Sequence, residues 1–345
     1  MDQGNFSYPQ SESDAANKMR QLIMGFRVTQ LIHVAAKLGL ADLLRAGPQT
    51  LDMLVGACRA DPRALYRLLR ALASLGIFAK SADGAFRLTP MAELLRSDVP
   101  ASMAPLALLY GEDWLWRSYG RMLHSVRTGE AALEQTLGQP LYEYLKDHPP
   151  AAAQFHQAMS AYSARELAAI RQAYDFSGAT RVVDIGGGHG VLLAALLQAH
   201  AHLSGVLFEL PTAIAEARRR LADAGLADRA SCVAGDFFTA VPTGGDLYLL
   251  KSVLHNWDDA ASCHILHSCS RAMGEGARLL VIERVIPTAN APSEAKLFDI
   301  NMLVVTGGKE RSLSEFAALF RSAGLALTRI VETASPLSLI EGVRA

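Results

Sequence analysis

Cysteine is scarce in this chain: 4 in 345 residues, at positions 58, 232, 263 and 269. That is too few and too scattered for a disulfide framework, so a reducing compartment is expected. An excess of one charge is also lacking. The chain has 33 Lys and Arg against 34 Asp and Glu, a net charge of −1. This removes the electrostatic footprint of a dedicated nucleic-acid or polybasic membrane binder. No stretch reads as a membrane span. Residues 191–208 come nearest, but they contain Gln198, His200, His202 and Gly205 and read as a helix followed by a strand. Residues 1–10 are polar and lack the apolar centre of a secretory signal. A cytoplasmic location with no membrane partner is therefore expected. Internal repeats and low-complexity tracts are absent too. What the chain does have is apolar content: 50% of residues, with only 19% charged. That excludes a disordered chain and provides for about two domains of 100–200 residues.

Residues 18–99 carry apolar side chains at three- and four-residue steps, a helical pattern. In one segment Asp61 caps a helix with Pro62 at its first position. Leu65, Leu68, Leu69, Leu72 and Leu75 form its stripe, and Gly76 ends it. Residues 77–80 and 86–88 flank an Asp83-Gly84 turn and read as a hairpin. Helices followed by a hairpin predict a winged helix over residues 1–100. Arg63, Arg67 and Arg70 share a helix face, which raises DNA binding. However, residues 1–110 hold 12 Lys and Arg against 9 Asp and Glu, a weak basic excess for that role, and no nucleic-acid partner is expected. The helical stretch 19–38 is apolar on more than one face, consistent with burial against a second copy. Residues 101–175 read as linker helices rich in aromatics, and Trp114, Phe155, Met159 and Tyr162 are candidates to line an apolar acceptor pocket.

The period changes near residue 181. Runs at 182–185, 205–209, 230–234, 246–250 and 277–282 read as strands, alternating with helices at 190–200, 211–225 and 258–273. The alternation predicts an α/β fold with a doubly wound, Rossmann-like parallel sheet over residues 176–345. After a helix at 313–323, runs at 325–331 and 338–343 predict an antiparallel edge.

Asp184-Ile185-Gly186-Gly187-Gly188-His189-Gly190 follows the first of these strands and opens a helix. Glycines there let the backbone turn sharply and approach a ligand. The dinucleotide fingerprint would require Gly or Ala where Val191 stands. Asp184, two residues before the loop, suits an ammonium group better than a pyrophosphate. Glu209 ends the second strand, where a carboxylate can accept ribose hydroxyls. Asp236, in Gly235-Asp236-Phe237-Phe238, can bond an exocyclic amine. Together they suit a nucleoside with a cationic tail, S-adenosylmethionine. Three later features carry candidate chemistry: His255 in the segment 251–259, Glu283 at the end of the fifth strand, and Glu310 in Gly307-Gly308-Lys309-Glu310-Arg311. Strand ends of a doubly wound sheet share one crevice, so His255 and Glu283 should face one site.

With its N-terminal winged helix, Asp-x-Gly-Gly-Gly-x-Gly, Lys-x-x-x-His-x-Trp and Gly-Gly-Lys-Glu-Arg in order, the sequence resembles the dimeric small-molecule O-methyltransferases of the caffeic acid/hydroxyneurosporene type, in their bacterial natural-product branch. The resemblance covers nearly the whole chain. It implies a homodimer and a class I methyltransferase acting on a small aromatic or polyketide-like acceptor, with His255 as general base flanked by Glu283 and Glu310. It implies cofactor contacts at Gly186, Gly188, Glu209, Leu210, Gly235, Asp236, Phe237 and Lys251, with Trp257 near the adenine. It also implies acceptor contacts at Met159 and Met302, with Asn256 and Thr306 beside them. Asn256 stands where the family usually has Asp, and Glu209 replaces the commoner Asp. N- or S-methyl transfer is the alternative within the enzyme class, and a winged-helix ligand-sensing regulator is the alternative outside it. Cys263, His264, His267 and Cys269 cluster within what reads as one continuous helix, and no metal is expected.

Overall fold

The computed structural model describes residues 11–99 and 102–345, apart from the side chain of Arg165. Residues 1–10, read above as lacking a signal, and the expected boundary at 100/101 lie outside the described residues. The chain forms two compact units. One comprises residues 11–99, 102–120 and 142–162; the other comprises residues 121–141 and 163–345. The helix Pro149–Ala173 runs from the first into the second.

In the first unit, the apolar stretch expected as one helix is two, Glu12–Ile23 and Gly25–Lys37. The break falls at Met24, before a glycine that costs about 1 kcal/mol relative to Ala inside a helix. Met19, Leu22, Ile23 and Phe26 are all exposed, a patch of the kind that marks an interaction surface. The helix Pro62–Ser74 begins as its sequence predicts: the Asp61 carboxylate accepts from the backbone N–H of Ala64 at 2.8 Å. Leu65, Leu69 and Leu72 are buried. Leu75 is exposed instead, because the helix has already ended there and Gly76 turns away with φ +74°. The hairpin strands β1 (Phe78–Lys80) and β2 (Phe86–Leu88) pair antiparallel, and Gln49 bridges to Phe86. Phe78 and Phe86 pack with the buried leucines in one core, completing the winged helix.

The second unit holds β3 (Arg181–Ile185), β4 (Ser204–Glu209), β5 (Ala230–Ala234), β6 (Leu247–Lys251), β7 (Arg278–Glu283), the short pair β8 (Val285–Ile286) and β9 (Arg311–Ser312), then β10 (Leu325–Glu332) and β11 (Ser338–Arg344). Seven of these form one sheet in the order β10–β11–β7–β6–β3–β4–β5. Strands β5, β4, β3, β6 and β7 are parallel, whereas β11 and β10 add an antiparallel edge. Side chains alternate between two cores. Val183, Leu250, Val281 and Ile340 face the helices Asp259–Ala272 and Leu313–Ser322, and Val182, Leu249, Leu280 and Leu339 face the helix Val191–Ala199. Strand order reverses between β3 and β6, which places a crevice at their C-terminal ends.

Leu280 is fully buried at the centre of this sheet. Leu280→Ala is expected to destabilise the protein by about 2–5 kcal/mol, seen as a lower denaturation midpoint in urea.

Candidate active site

The turn carrying His255 follows β6. Ser252 sits in the left-handed region at φ +53°, an arrangement that costs a non-glycine residue about 1–2 kcal/mol. A short 3-10 turn, Leu254–Asn256, comes next. Glu283, at the end of neighbouring β7, pins this turn. Its Oε1 accepts backbone N–H bonds from Val253 at 3.0 Å, Leu254 at 2.9 Å and His255 at 3.4 Å. The side chain of Asn256 donates back to the carbonyls of Ser252 and Val253.

Glu310 approaches from the loop before β9. Its Oε1 lies 2.9 Å from His255 Nδ1, and Oε2 of Glu283 lies 3.4 Å from the same nitrogen. All three side chains are buried. Glycine makes the approach possible: a Cβ on Gly308 would lie 2.0 Å from the carbonyl oxygen of His255. The next residue, Lys309, donates its backbone N–H to that oxygen at 2.9 Å. Burial pushes the His255 ring toward neutrality, but the Glu283 and Glu310 carboxylates outweigh it and hold the ring above the ordinary histidine value. Burial likewise pushes Glu283 up, with His255 opposing and Glu310 adding to the rise. His255 Nδ1 and the nearer carboxylate oxygens of Glu283 and Glu310 lie within 4.8 Å of one another, and the Nδ1–Oε1 contact has the length of a hydrogen bond.

Glu310 and Glu283 were legible as members of the site, but four supports were not. Arg311, 1% exposed, bonds the carbonyls of Leu254 and Trp257, the Ser262 hydroxyl and the Asp259 carboxylate. Asp299 accepts the backbone N–H of Glu310 at 2.8 Å. The Phe298 ring lies 6.1 Å from the imidazole, nearly parallel to it. Glu166 is buried and pairs with Lys251 Nζ at 2.7 Å. Arg311 stands within the Gly-Gly-Lys-Glu-Arg motif, but nothing in an arginine beside Lys309 and Glu310 signals burial. Asp299, Phe298 and Glu166 lie on helices where one polar or aromatic residue carries no signal of its own.

The glycine loop after β3 turns with positive φ at Gly186, Gly188 and Gly190. A Cβ on Gly188 would meet nothing within 4 Å, whereas one on Gly187 would lie 2.5 Å from Asp184 Oδ2. Asp184 thus sits beneath the loop. It is 1% exposed, and neither carboxylate oxygen has a hydrogen-bond partner among the described residues. Burial pushes it up to about 7, with Lys251 pulling the other way. Glu209 at the end of β4 is raised by burial, and its Oε2 accepts the Leu210 N–H. Asp236 Oδ1 accepts from Phe238 N–H at 2.9 Å. Gly235 packs where a Cβ would strike the Phe208 ring. Phe237, Phe238 and Trp257 meet edge-to-face. An unpartnered carboxylate behind a glycine loop, a second at the next strand end and an aromatic wall fit a nucleoside that carries a cation.

Met302 is buried, and the Thr306 hydroxyl bonds Met302 O and Gly308 N–H. Trp114, Phe155, Met159 and Tyr162 belong to the other unit. There Trp114 packs 5.9 Å from Tyr144, and the Tyr162 hydroxyl lies 3.3 Å from that of Tyr110. Cys269, in the suspected cysteine–histidine cluster, is a core residue whose thiol burial pushes up to about 12.

Comparison with known proteins places this geometry. Residues 119–326 match the model of the O-methyltransferase domain, and residues 20–98 match that of the O-methyltransferase dimerisation domain. The phenazine O-methyltransferase PhzM of Lysobacter antibioticus is 43% identical over 321 residues, 93% of this chain and 94% of that protein. The crystal structure of LaPhzM superposes with a TM-score of 0.90 at 42% identity, over 96% of this chain and 99% of that one. NcsB1 from neocarzinostatin biosynthesis, crystallised with S-adenosylmethionine and 2-hydroxy-5-methyl naphthoic acid, has a TM-score of 0.78 at 36% identity over 92% and 96% of the two chains. The chain belongs to the O-methyltransferase family. It is an S-adenosylmethionine-dependent methyltransferase of the kind found in bacterial natural-product biosynthesis.

Gly308→Ala is expected to push the Glu310 loop off the His255 carbonyl. A displacement of about 1 Å costs roughly 10²-fold in rate. Methyl-transfer assays should show that loss, while calorimetry shows S-adenosylmethionine binding within about twofold of wild type, a change under ~0.5 kcal/mol.

Proposed function

We propose that the chain methylates a hydroxyl of a small aromatic or polyketide-like metabolite, with His255 as general base and Glu283 and Glu310 as its supports. The carrying observation is that both carboxylates meet one nitrogen, Nδ1. An ionised carboxylate can only accept, so Nδ1 carries the proton and Nε2 keeps its lone pair. S-adenosylmethionine supplies a methyl group already activated on a sulfonium, which leaves alignment and the acceptor's proton to the protein. A phenol titrates near 10 and a free imidazole near 6.5, a poor match. Raising the ring's basicity narrows that gap. As Nε2 takes the hydroxyl proton, the new positive charge lies against Glu310 at 2.9 Å and Glu283 at 3.4 Å. General-base help of this type is worth roughly 10²–10⁴-fold. Asp184, from beneath the glycine loop, and Glu209 supply negative charge toward the cationic donor. Gly186 and Gly188 let the backbone approach it, and Leu210, Asp236, Phe237 and Trp257 border its base. Asn256, Met302 and Thr306 lie on the base's side of the site and are proposed as acceptor contacts. The aromatic acid bound in the NcsB1 complex supports an aromatic acceptor.

His255→Ala is expected to lower kcat by roughly 10²–10⁴-fold without loss of S-adenosylmethionine affinity. Near-normal turnover of phenolic acceptors by that variant would reject the assignment, and turnover of amines alone would move the reaction to nitrogen. The base works only when neutral, so kcat/KM of the wild type should fall as pH drops through the raised ring value. Glu310→Gln removes one of the charges that raise it. Its acid limb should therefore lie at lower pH than that of the wild type, with a lower plateau, read from a pH–rate profile.

We also infer that the chain pairs as a homodimer through its dimerisation domain, with Met19, Leu22, Ile23 and Phe26 at the contact. Leu22→Asp should shift the sedimentation coefficient toward that of a single chain. A wild type that already sediments as a monomer at micromolar concentration would overturn the pairing.

A further inference from the structure

We propose that Arg284 is a positioning residue for this base: it holds Phe298 against the His255 ring, and its charge limits how far the two carboxylates favour the protonated ring. The proposal rests on the reading of His255 as the base.

Arg284 directly follows Glu283 at the end of β7 and is 3% exposed. Its guanidinium carbon lies 3.9 Å from the centroid of the Phe298 ring. That ring in turn lies 6.1 Å from the imidazole, at 21° to it. Guanidinium, phenyl and imidazole are therefore linked through successive ring contacts. A buried charge is ordinarily well paired and hydrogen-bonded, but Arg284 is not. Its Nε has no hydrogen-bond partner among the described residues. Nη2 lies 3.7 Å from Glu166 Oε1 and 3.9 Å from Glu294 Oε1, beyond hydrogen-bond distance in both cases. Glu166 already gives its other oxygen to Lys251 at 2.7 Å, and the Glu294 side chain is 60% exposed, where water screens it. Among the described residues its charge is answered by a ring face and by carboxylates at ion-pair distance, without a hydrogen bond.

The other charges around His255 explain the need for it. Glu283 from β7 and Glu310 from the loop before β9 both favour a protonated ring. Asp299, on the helix Glu294–Val305, is directed at the backbone N–H of Glu310. Arg311 on β9 is answered by Asp259 and by the Leu254 and Trp257 carbonyls. Lys309 is answered by Asp259 and Glu315. Burial is the largest influence against protonation of the ring, and Arg284 is a cation that adds to it. Both carboxylates favour the protonated ring, which has no lone pair for a hydroxyl proton, and the Arg284 cation works against them. Arg284 thus sets the pH range in which the carboxylates assist the base.

The test is the titration of His255 in histidine-labelled protein, followed by NMR, with its signal identified by its absence from His255→Asn. In Arg284→Gln the ring is expected to titrate about one pH unit higher than in wild type, as a unit charge a few ångströms beyond van der Waals contact would cause at an effective dielectric near 20. The acid limb of kcat/KM should move up by the same amount. The variant would then be about tenfold slower at a pH one unit below the wild-type limb and recover above it. Arg284→Lys keeps the charge and should titrate within a few tenths of a unit of wild type. If Arg284→Gln does not fold, Arg284→Met, which keeps the length of side chain over Phe298, takes its place. An unshifted ring titration with an equal rate loss at every pH would overturn the proposal and leave Arg284 a packing residue. Turnover by His255→Ala would instead defeat the base reading, and the ring titration would still report on Arg284.

Discussion

The structure turns on one carboxylate oxygen that collects a run of backbone amides. Oε1 of Glu283 takes the N–H groups of Val253, Leu254 and His255, three donors that a tight turn after a strand would otherwise bury unpaired. An unmade bond of that kind costs about 1–3 kcal/mol, so the carboxylate both stabilises the turn and fixes its shape. The same residue then has only Oε2 left, and that atom lies beside Nδ1 of His255. Glu283 is therefore first a mould for the turn and second a charge near the ring. Glu310, at hydrogen-bond distance from Nδ1, is the closer electrostatic partner. Two acids that look equivalent as residue types divide the work by which atoms they have free.

That division constrains the neighbourhood. The Glu310 loop must lie flat on the His255 carbonyl to reach the ring, which Gly308 permits and Lys309 secures through its N–H. The carbonyls of Leu254 and Trp257 are taken by Arg311. The amides of Val253, Leu254 and His255 and the carbonyls of Leu254, His255 and Trp257 are thus matched by the Glu283 side chain, the Lys309 backbone and the Arg311 side chain. The imidazole is held from both backbone directions, so its ring plane is set before any acceptor arrives, and orientation costs little during reaction. The left-handed Ser252 just upstream is the strain that this matching offsets.

Much of this was legible in the residues. The change of period near residue 181 predicts the parallel sheet and its antiparallel edge, because strands buried on both faces must be short and uniformly apolar. Asp61-Pro62 and Gly76 predict one helix to within a residue or two, because cap chemistry is local. The glycine loop and His255 are visible because glycine and histidine are rarely interchangeable where they stand. The break at Met24 was not legible, since the apolar pattern continues across it. Asp184 is legible as a carboxylate suited to an ammonium group, but its position beneath Gly187 depends on a close approach that only three-dimensional packing reveals. Arg311 and Arg284 were hidden for a related reason. Arginine in a charged run looks solvated, and nothing local distinguishes a guanidinium that faces solvent from one turned inward onto carbonyls or a ring.

The charges behind the site also form a connected set. Lys251 ends β6, pulls on Asp184 beneath the donor loop and pairs with Glu166. Glu166 reaches Arg284, which lies over Phe298, the ring that faces the His255 imidazole. A single buried carboxylate therefore stands between a cation on the donor side and a cation on the base side. Interactions of this kind are strong where water is excluded and weak where it is not. On the proposed reading the two sides demand opposite things: the donor side must attract a positive charge, and the base must resist acquiring one too early. Lys251 lowers Asp184 on one side, and on the reading proposed above Arg284 moderates the pull of the two glutamates on the other. Glu166 sets how much of each cation's charge is left to act. A sheet that ends adjacent strands in Lys251 and Glu283-Arg284 can meet both demands because the crevice at its switch point brings those ends together.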